Sequence, residues 1–230
     1  MRRSPYNRHP LAPVFALALA MLAAVVVALF VLDVVAYAYR RIGISEGALL
    51  SLVWLSLIGG LVNIPIARLR GPAGPGVDEV VVFGVRYRVP RLRTPASTIL
   101  AVNVGGAVIP AGLSVYLLLT DDLWWQAGVG VLFVTVVVHA VARPVPGLGI
   151  AVPALVPPVL AAIAALLLAP TATAAVAYIS GTLGTLIGGD VLHLWGLRDL
   201  GAGVASIGGA GTFDGVFLSG IMAVVLVGLT

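Results

Sequence analysis

The stretch TAAVAYISGTLGTLIGGDVLHLW, residues 173–195, decides the fold. It is as long as a bilayer-crossing helix, which needs about 20 consecutive apolar residues. Its glycines would let neighbouring helices approach closely in lipid. It also carries Asp190 and His193, and ionisable groups inside a bilayer are rare and mark function.

Similar runs recur along the chain. Working outward, the sequence predicts seven spans: Leu11–Tyr37, Glu46–Ala67, Pro95–Leu119, Leu123–Ala142, Ala151–Ala169, Thr173–Trp195, and one from Gly211 to the C-terminus. The fifth is broken by prolines, and Val145–Pro158 could instead be re-entrant. The expected fold is an all-α integral membrane bundle, several of its helices broken by Gly or Pro, occupying residues 1–230 as a single domain. The first apolar run is too long for the h-region of a signal peptide.

Composition agrees. Of 230 residues 60% are hydrophobic and 10% charged, with a mean hydropathy of +1.13; soluble domains carry roughly 25% charged residues. Thirteen arginines face nine acids with no lysine. The resulting basicity belongs to span ends, where it reports orientation, so no nucleic-acid partner is expected. The absence of cysteine excludes disulfides, thiolate metal sites and a cysteine nucleophile. There is no His-rich cluster, no H-E-x-x-H and no phosphate loop, so neither metal nor cofactor is expected. The expected partner is membrane lipid.

With the N-terminus in the cytoplasm, Arg2, Arg3, Arg8, Arg68, Arg70, Arg86, Arg88, Arg91, Arg93, Arg143 and Arg198 lie inside, and only Arg40 and Arg41 lie outside. The positive-inside rule favours that orientation and puts the C-terminus outside. The expected location is the cell (inner) membrane. Trp124 and Trp125 then fall in the outer aromatic belt and Trp195 in the inner one.

Residues 71–93 form an insertion. GPAGPG at 71–76 cannot be helical. Beyond it Asp78–Arg88 alternates about Phe83-Gly84, which predicts a small cytoplasmic β-hairpin pairing Val80–Val82 with Val85–Tyr87. The alternative is a stiff, arginine-rich loop against anionic lipid.

The ionisable groups predicted within spans are Asp33, His139, Asp190, His193 and Asp214. Asp33 can pair with Arg40 or Arg41. Asp190 and Asp214 lie at equal depth on consecutive antiparallel helices, 5–10 Å below the inner interface at about 1.5 Å per residue. Gly184/Gly188 and Gly211/Gly215 are spaced to bring those two helices together. Two carboxyls that close cannot easily both ionise, so one would hold a proton and the other act as a base. The alternative is a hydrogen-bonded pair that only ties two helices. His193 shares Asp190's face. Asn63, Asn103, His139 and Pro153-Ala154-Leu155 fall in the same layer, as candidates for binding a substrate. LVNIPI (61–66) and AVNVGGAVIP (101–110) look alike and could be remnants of a broken-helix repeat. GAGVASIGGAG (201–211) is too glycine-rich for a helix and reads as a flexible approach to Asp214.

Two resemblances follow from quoted motifs. NVGGAVIP, ARPVPGLGIAVP, AYISGTLGTLIGGD and ASIGGAGTFDG resemble a prokaryotic family of small multi-spanning membrane proteins of unknown function, over residues 42–230. Phe213-Asp214, Gly189-Asp190 within IGGD, and Pro153-Ala154-Leu155 are similar to the aromatic-Asp, Gly-x-Gly-Asp and Pro-Ala-Leu motifs of presenilin-like and signal-peptide-peptidase-like intramembrane aspartyl proteases. The order differs, and Ile187 replaces the first glycine of the Gly-x-Gly-Asp motif. This second resemblance implies a catalytic Asp190–Asp214 pair and a transmembrane peptide substrate. Proton- or cation-coupled transport of a small molecule by the same aspartates is the alternative. A non-catalytic membrane assembly factor is the third reading.

Overall fold

The computed structural model describes residues 12–70, 77–82, 85–90, 97–145, 149–194, 204–209 and 215–230. Asp214, Gly211, Trp195, residues 71–76, the Phe83-Gly84 turn and residues 91–93 lie outside them.

Seven helices are described: α1 (Ala12–Arg41), α2 (Glu46–Gly59), α3 (Ile109–Asp121), α4 (Trp124–Val141), α5 (Val156–Leu168), α6 (Thr173–Thr185) and α7 (Gly215–Val227). Four stretches are long and apolar enough to cross a membrane: Leu19–Arg41, Val104–Asp121, Trp124–Val141 and Thr173–His193. The other helices are shorter. At about 1.5 Å per residue the 13 residues of α5 or α7 rise only about 20 Å, against a hydrocarbon core of about 30 Å.

The all-α expectation needs correcting, because strands replace parts of two expected spans. Glu46–Ala67 is helical only as far as Gly59; Asn63–Arg70 is strand β1. Pro95–Leu119 begins as strand β4, Ser97–Asn103, turns through a π-helical turn at Val104–Val108, and only then enters α3. The expected fifth span, Ala151–Ala169, is preceded by the short hairpin of β5 (Arg143–Val145) and β6 (Gly149–Ala151), and its helix begins only at Val156. The supposedly flexible approach to Asp214 contains strand β7, Val204–Ile207. β4 is central: β1 pairs with it antiparallel and β7 parallel. Pro65 sits on edge strand β1, beside a bulge between Pro65 and Ala67, an allowed place for a residue with no N–H to donate.

The expected hairpin is present. β2 (Val77–Val82) and β3 (Val85–Pro90) pair antiparallel, with Val80 opposite Tyr87 and Val82 opposite Val85. It is inserted between β1 and β4, which pair with each other directly.

The bundle is built around α6. Val176, Ala177, Tyr178, Ile179 and Ser180 have no exposed surface, and α6 packs on α4, α5 and α7. Small residues make those contacts close. Gly184 meets Val134, and Gly188 meets the Thr135 backbone and Val138 on α4. The expectation that Gly184 and Gly188 face the last helix is therefore wrong; Gly181 against the Ser219–Gly220 backbone forms that contact. On α5, Pro157 and Pro158 occupy the first turn, where a missing N–H costs nothing. Its buried face is Ala161, Ala162, Ala164 and Ala165.

Only the last third of α1 packs, through Val35, Ala38, Tyr39 and Ile42, while Leu19–Phe30 face outward. Gly43 ends the helix at φ +82, with Ile44 N–H donating to Tyr39 O and Gly43 N–H to Arg40 O. Such a glycine cap needs a residue at ease in the left-handed region. Arg40 pairs with Asp33 at 3.9 Å on the surface, the interface pairing expected for that aspartate.

Candidate functional site

The strands gather at one end of the bundle, and the expected polar layer is assembled on them. Asn63 stands opposite Asn103 in the β1–β4 register. The two similar stretches are thus cross-strand partners and not halves of a broken-helix repeat.

Asn103 is completely buried. Its Nδ2 donates to Gly60 O at 2.8 Å and to Asn63 Oδ1 at 3.2 Å, and its Oδ1 accepts from Gly106 N–H at 2.7 Å. Its amide is bonded on both sides inside the protein, which ties the end of α2 to the sheet and to the turn after β4. Asn63 is exposed and extends the network, accepting from Ser206 Oγ at 2.6 Å. Asn103→Ala is expected to cost about 2–4 kcal/mol, because buried partners lose several bonds at once; thermal unfolding of the purified variant measures it.

Beyond β7 the chain turns at Gly208 and Gly209, both with positive φ. At that turn Gly208 N–H donates to Asp190 Oδ2 at 2.7 Å. A Cβ on Gly208 would lie 2.6 Å from Ala107 Cβ and 2.7 Å from Ala107 N, so only glycine fits. Asp190 is thereby held to the sheet. The contacts of Ser206 with Asn63 and of Gly208 with Asp190 carry no signature in the sequence. VASI between glycines carried a faint strand signal, and the glycines obscured it.

Asp190 ends a π-helical turn, Leu186–Asp190, which continues into a 3₁₀ turn at Val191–His193. His193 Nδ1 lies 3.0 Å from Gly188 O, and the His193 ring centroid is 4.5 Å from that of His139 on α4. The two histidines are therefore brought together beside the layer.

A cleft of about 260 Å³ opens at Asp190. It is lined by Ile150, Ala151 and Val152, by Thr185, Gly189 and Asp190, and by Gly215 and Val216. Val152 directly precedes Pro153-Ala154-Leu155, and Gly215 directly follows Asp214. Pro153, Ala154 and Leu155 are themselves exposed and not among the lining residues. The cleft is smaller than the roughly 300–1,000 Å³ typical of small-molecule pockets. Among the described residues no group of three or more His, Cys, Asp or Glu could hold a metal ion.

No curated protein and no solved structure matches the chain. The motif likeness to aspartyl proteases thus remains one of short motifs. One family does match, over residues 57–226, from the end of α2 almost to the end of α7. This interval contains the whole sheet, the polar network and the Asp190 cleft, so the chain belongs to the family described as "Protein of unknown function (DUF1614)".

Proposed function

We propose that the protein is a multi-pass protein of the cell membrane that hydrolyses a membrane-embedded peptide with Asp190 and Asp214. One observation carries the reading: the Asp190 cleft is lined by the flanks of all three motif segments, Ile150–Val152, Gly189–Asp190 and Gly215–Val216. Segments separated by 25 or more positions in the chain, each next to or within a protease-like motif, share one small polar cleft.

In this reading one ionised aspartate takes a proton from water, and the water oxygen attacks the scissile carbonyl. The other aspartate, protonated, donates to the leaving nitrogen as the C–N bond breaks. Gly208 N–H fixes the Asp190 carboxylate. The cleft is large enough for an extended backbone and a water but not for a folded substrate. All seven helices cross the membrane, the short ones within a locally thinned bilayer, with the N-terminus cytoplasmic on the strength of the arginine distribution.

The test uses the full chain in proteoliposomes with single-span peptides quenched across their membrane segment. Cleavage is expected with the native protein and absent with Asp214→Asn. Cleavage that survives Asp214→Asn overturns the two-aspartate mechanism.

Coupled transport by the same aspartates is the second reading. It is favoured by a polar face of α6 that runs from the cleft toward a polar pocket at the opposite end. That pocket, about 590 Å³, is lined by Arg41, Asp121, Thr171 and Thr173 among others.

A further inference from the structure

The β2–β3 hairpin takes no part in the Asp190 cleft. Its strands form a sheet of their own, separate from β1, β4 and β7. Among the described residues neither strand packs to any extent on a helix or on the larger sheet. A two-stranded hairpin alone in water is marginally stable at best; a further strand or a helix normally covers one of its faces.

The register shows which face needs covering. Residues opposite one another in an antiparallel pair share a face, and the faces alternate along each strand. Val80 is opposite Tyr87, Val82 opposite Val85, and Asp78 opposite Val89. One face therefore carries Val80, Val82, Val85, Tyr87 and Val89, with Asp78 at its open end. The other carries Glu79 opposite Arg88 and Val81 opposite Arg86. The hairpin is apolar on one side and charged on the other.

It is also where the charge of the protein resides. Residues 68–93 hold Arg68, Arg70, Arg86, Arg88, Arg91 and Arg93 against Asp78 and Glu79, a net of +4. That equals the formal net charge of the whole chain, so the remainder is balanced. An apolar face with surplus arginine suits the boundary between headgroups and acyl chains in a bilayer that contains anionic lipid. A soluble acidic partner would match the charge and leave the valines uncovered. Six residues separate Arg70 from Val77 and reach at most about 20 Å, so the hairpin is tethered beside the bilayer that holds the helices.

We propose that the hairpin docks on the adjacent anionic leaflet. Its valine and tyrosine face lies at the headgroup boundary, and the arginines of residues 68–93 supply the attraction. The leaflet provides the cover that the hairpin lacks. Docking also anchors one end of the β1–β4 pair, whose other end carries Asn63 and Asn103. It does not depend on peptide cleavage.

The chain has no cysteine, so single thiols can be placed without altering it further. Val82→Cys puts a polarity-sensitive fluorophore on the apolar face, and Val81→Cys puts it on the charged one. The full chain is reconstituted in vesicles of phosphatidylcholine, alone or mixed with phosphatidylglycerol, each with some lipid spin-labelled near the headgroup. With phosphatidylglycerol the spin label is expected to quench the probe at 82 several-fold more than the probe at 81. In phosphatidylcholine alone, or in concentrated sodium chloride, the two are expected to converge. Replacing Arg91 and Arg93 together by Gln is expected to lower the docked-to-free ratio at least about fivefold, since one arginine near such a surface is worth roughly that factor. If Val82→Cys fails to fold, Val80→Cys carries the comparison. Equal quenching at 81 and 82, or none at 82, overturns docking through the apolar face. Quenching that is as strong in phosphatidylcholine alone overturns the recognition of anionic lipid. A probe shielded from water but untouched by the spin label places the hairpin on protein and overturns lipid as the occupant. Release by inorganic phosphate beyond that by sodium chloride of equal ionic strength indicates a free-anion site and does the same.

Discussion

Asp190→Asn is expected to remove detectable peptide cleavage and leave the bundle folded, whereas Asp190→Ala is expected to remove cleavage and loosen the sheet as well. Asn keeps a carbonyl oxygen where Asp190 Oδ2 accepts from Gly208 N–H at 2.7 Å. What it loses is the ability to take up or release a proton. General acid–base contributions are typically 10²–10⁴-fold, so the rate should fall by at least about 10²-fold. Ala loses the acceptor too. A hydrogen bond to a charged acceptor contributes about 1.5–3 kcal/mol; Asp190 is only partly buried, which favours the lower end. Parallel assays of cleavage and of thermal unfolding in detergent separate the two variants. An Asp190→Asn protein that still cleaves at a native rate removes Asp190 from the chemistry.

The largest stability effect is expected from Gly105→Ala. Gly105 lies in the π-helical turn between β4 and α3, pressed on the end of α2. A Cβ there would run into Ser56 O and Gly60 N and would lie 2.8 Å from Gly60 Cα. These are backbone atoms, so no side-chain rotation relieves the overlap. Ser56 O is already committed to Gly60 N–H at 2.9 Å, and Gly60 O to Asn103. Separating α2 from the turn would break these bonds together, so a loss of more than about 3 kcal/mol is expected, beyond the usual range for overpacking. The variant should fail to accumulate as folded protein. Gly112→Ala in α3 is the contrast, because nothing lies within 4 Å of its added carbon. There the lower backbone freedom of Ala should add about 0.5–1 kcal/mol. Thermal melts of both proteins provide the measurement, and equal melting temperatures would show that the close approach at Gly105 is not required.

The amino-acid sequence determined that this chain belongs in a membrane and where most of its helices run. Trp124–Val141 and Thr173–His193 were legible because long, nearly uncharged apolar runs have one stable form in lipid, a helix that pairs its backbone N–H and C=O groups inside the segment. The β2–β3 register was legible from the two-residue alternation about Phe83-Gly84, since a strand with two unlike faces fixes its own pairing. Asp190, Asn63 and Asn103 stood out as cost, polar groups in apolar runs, and each is hydrogen-bonded within the protein.

Only the tertiary structure decided the rest. β4 and the start of β1 continue apolar runs, and a short apolar strand has the same pattern as a buried helix segment. Their partners, and β7 with them, are distant in sequence. Gly184 and Gly188 announced a close contact, but periodicity names a face and not the helix that covers it; α4 lies there. The layer of Asn63, Asn103, Ser206, Gly208 and Asp190 has the same cause. A hydrogen bond depends on angstrom-scale distance between groups from separate segments, and only the packing of those segments sets that distance.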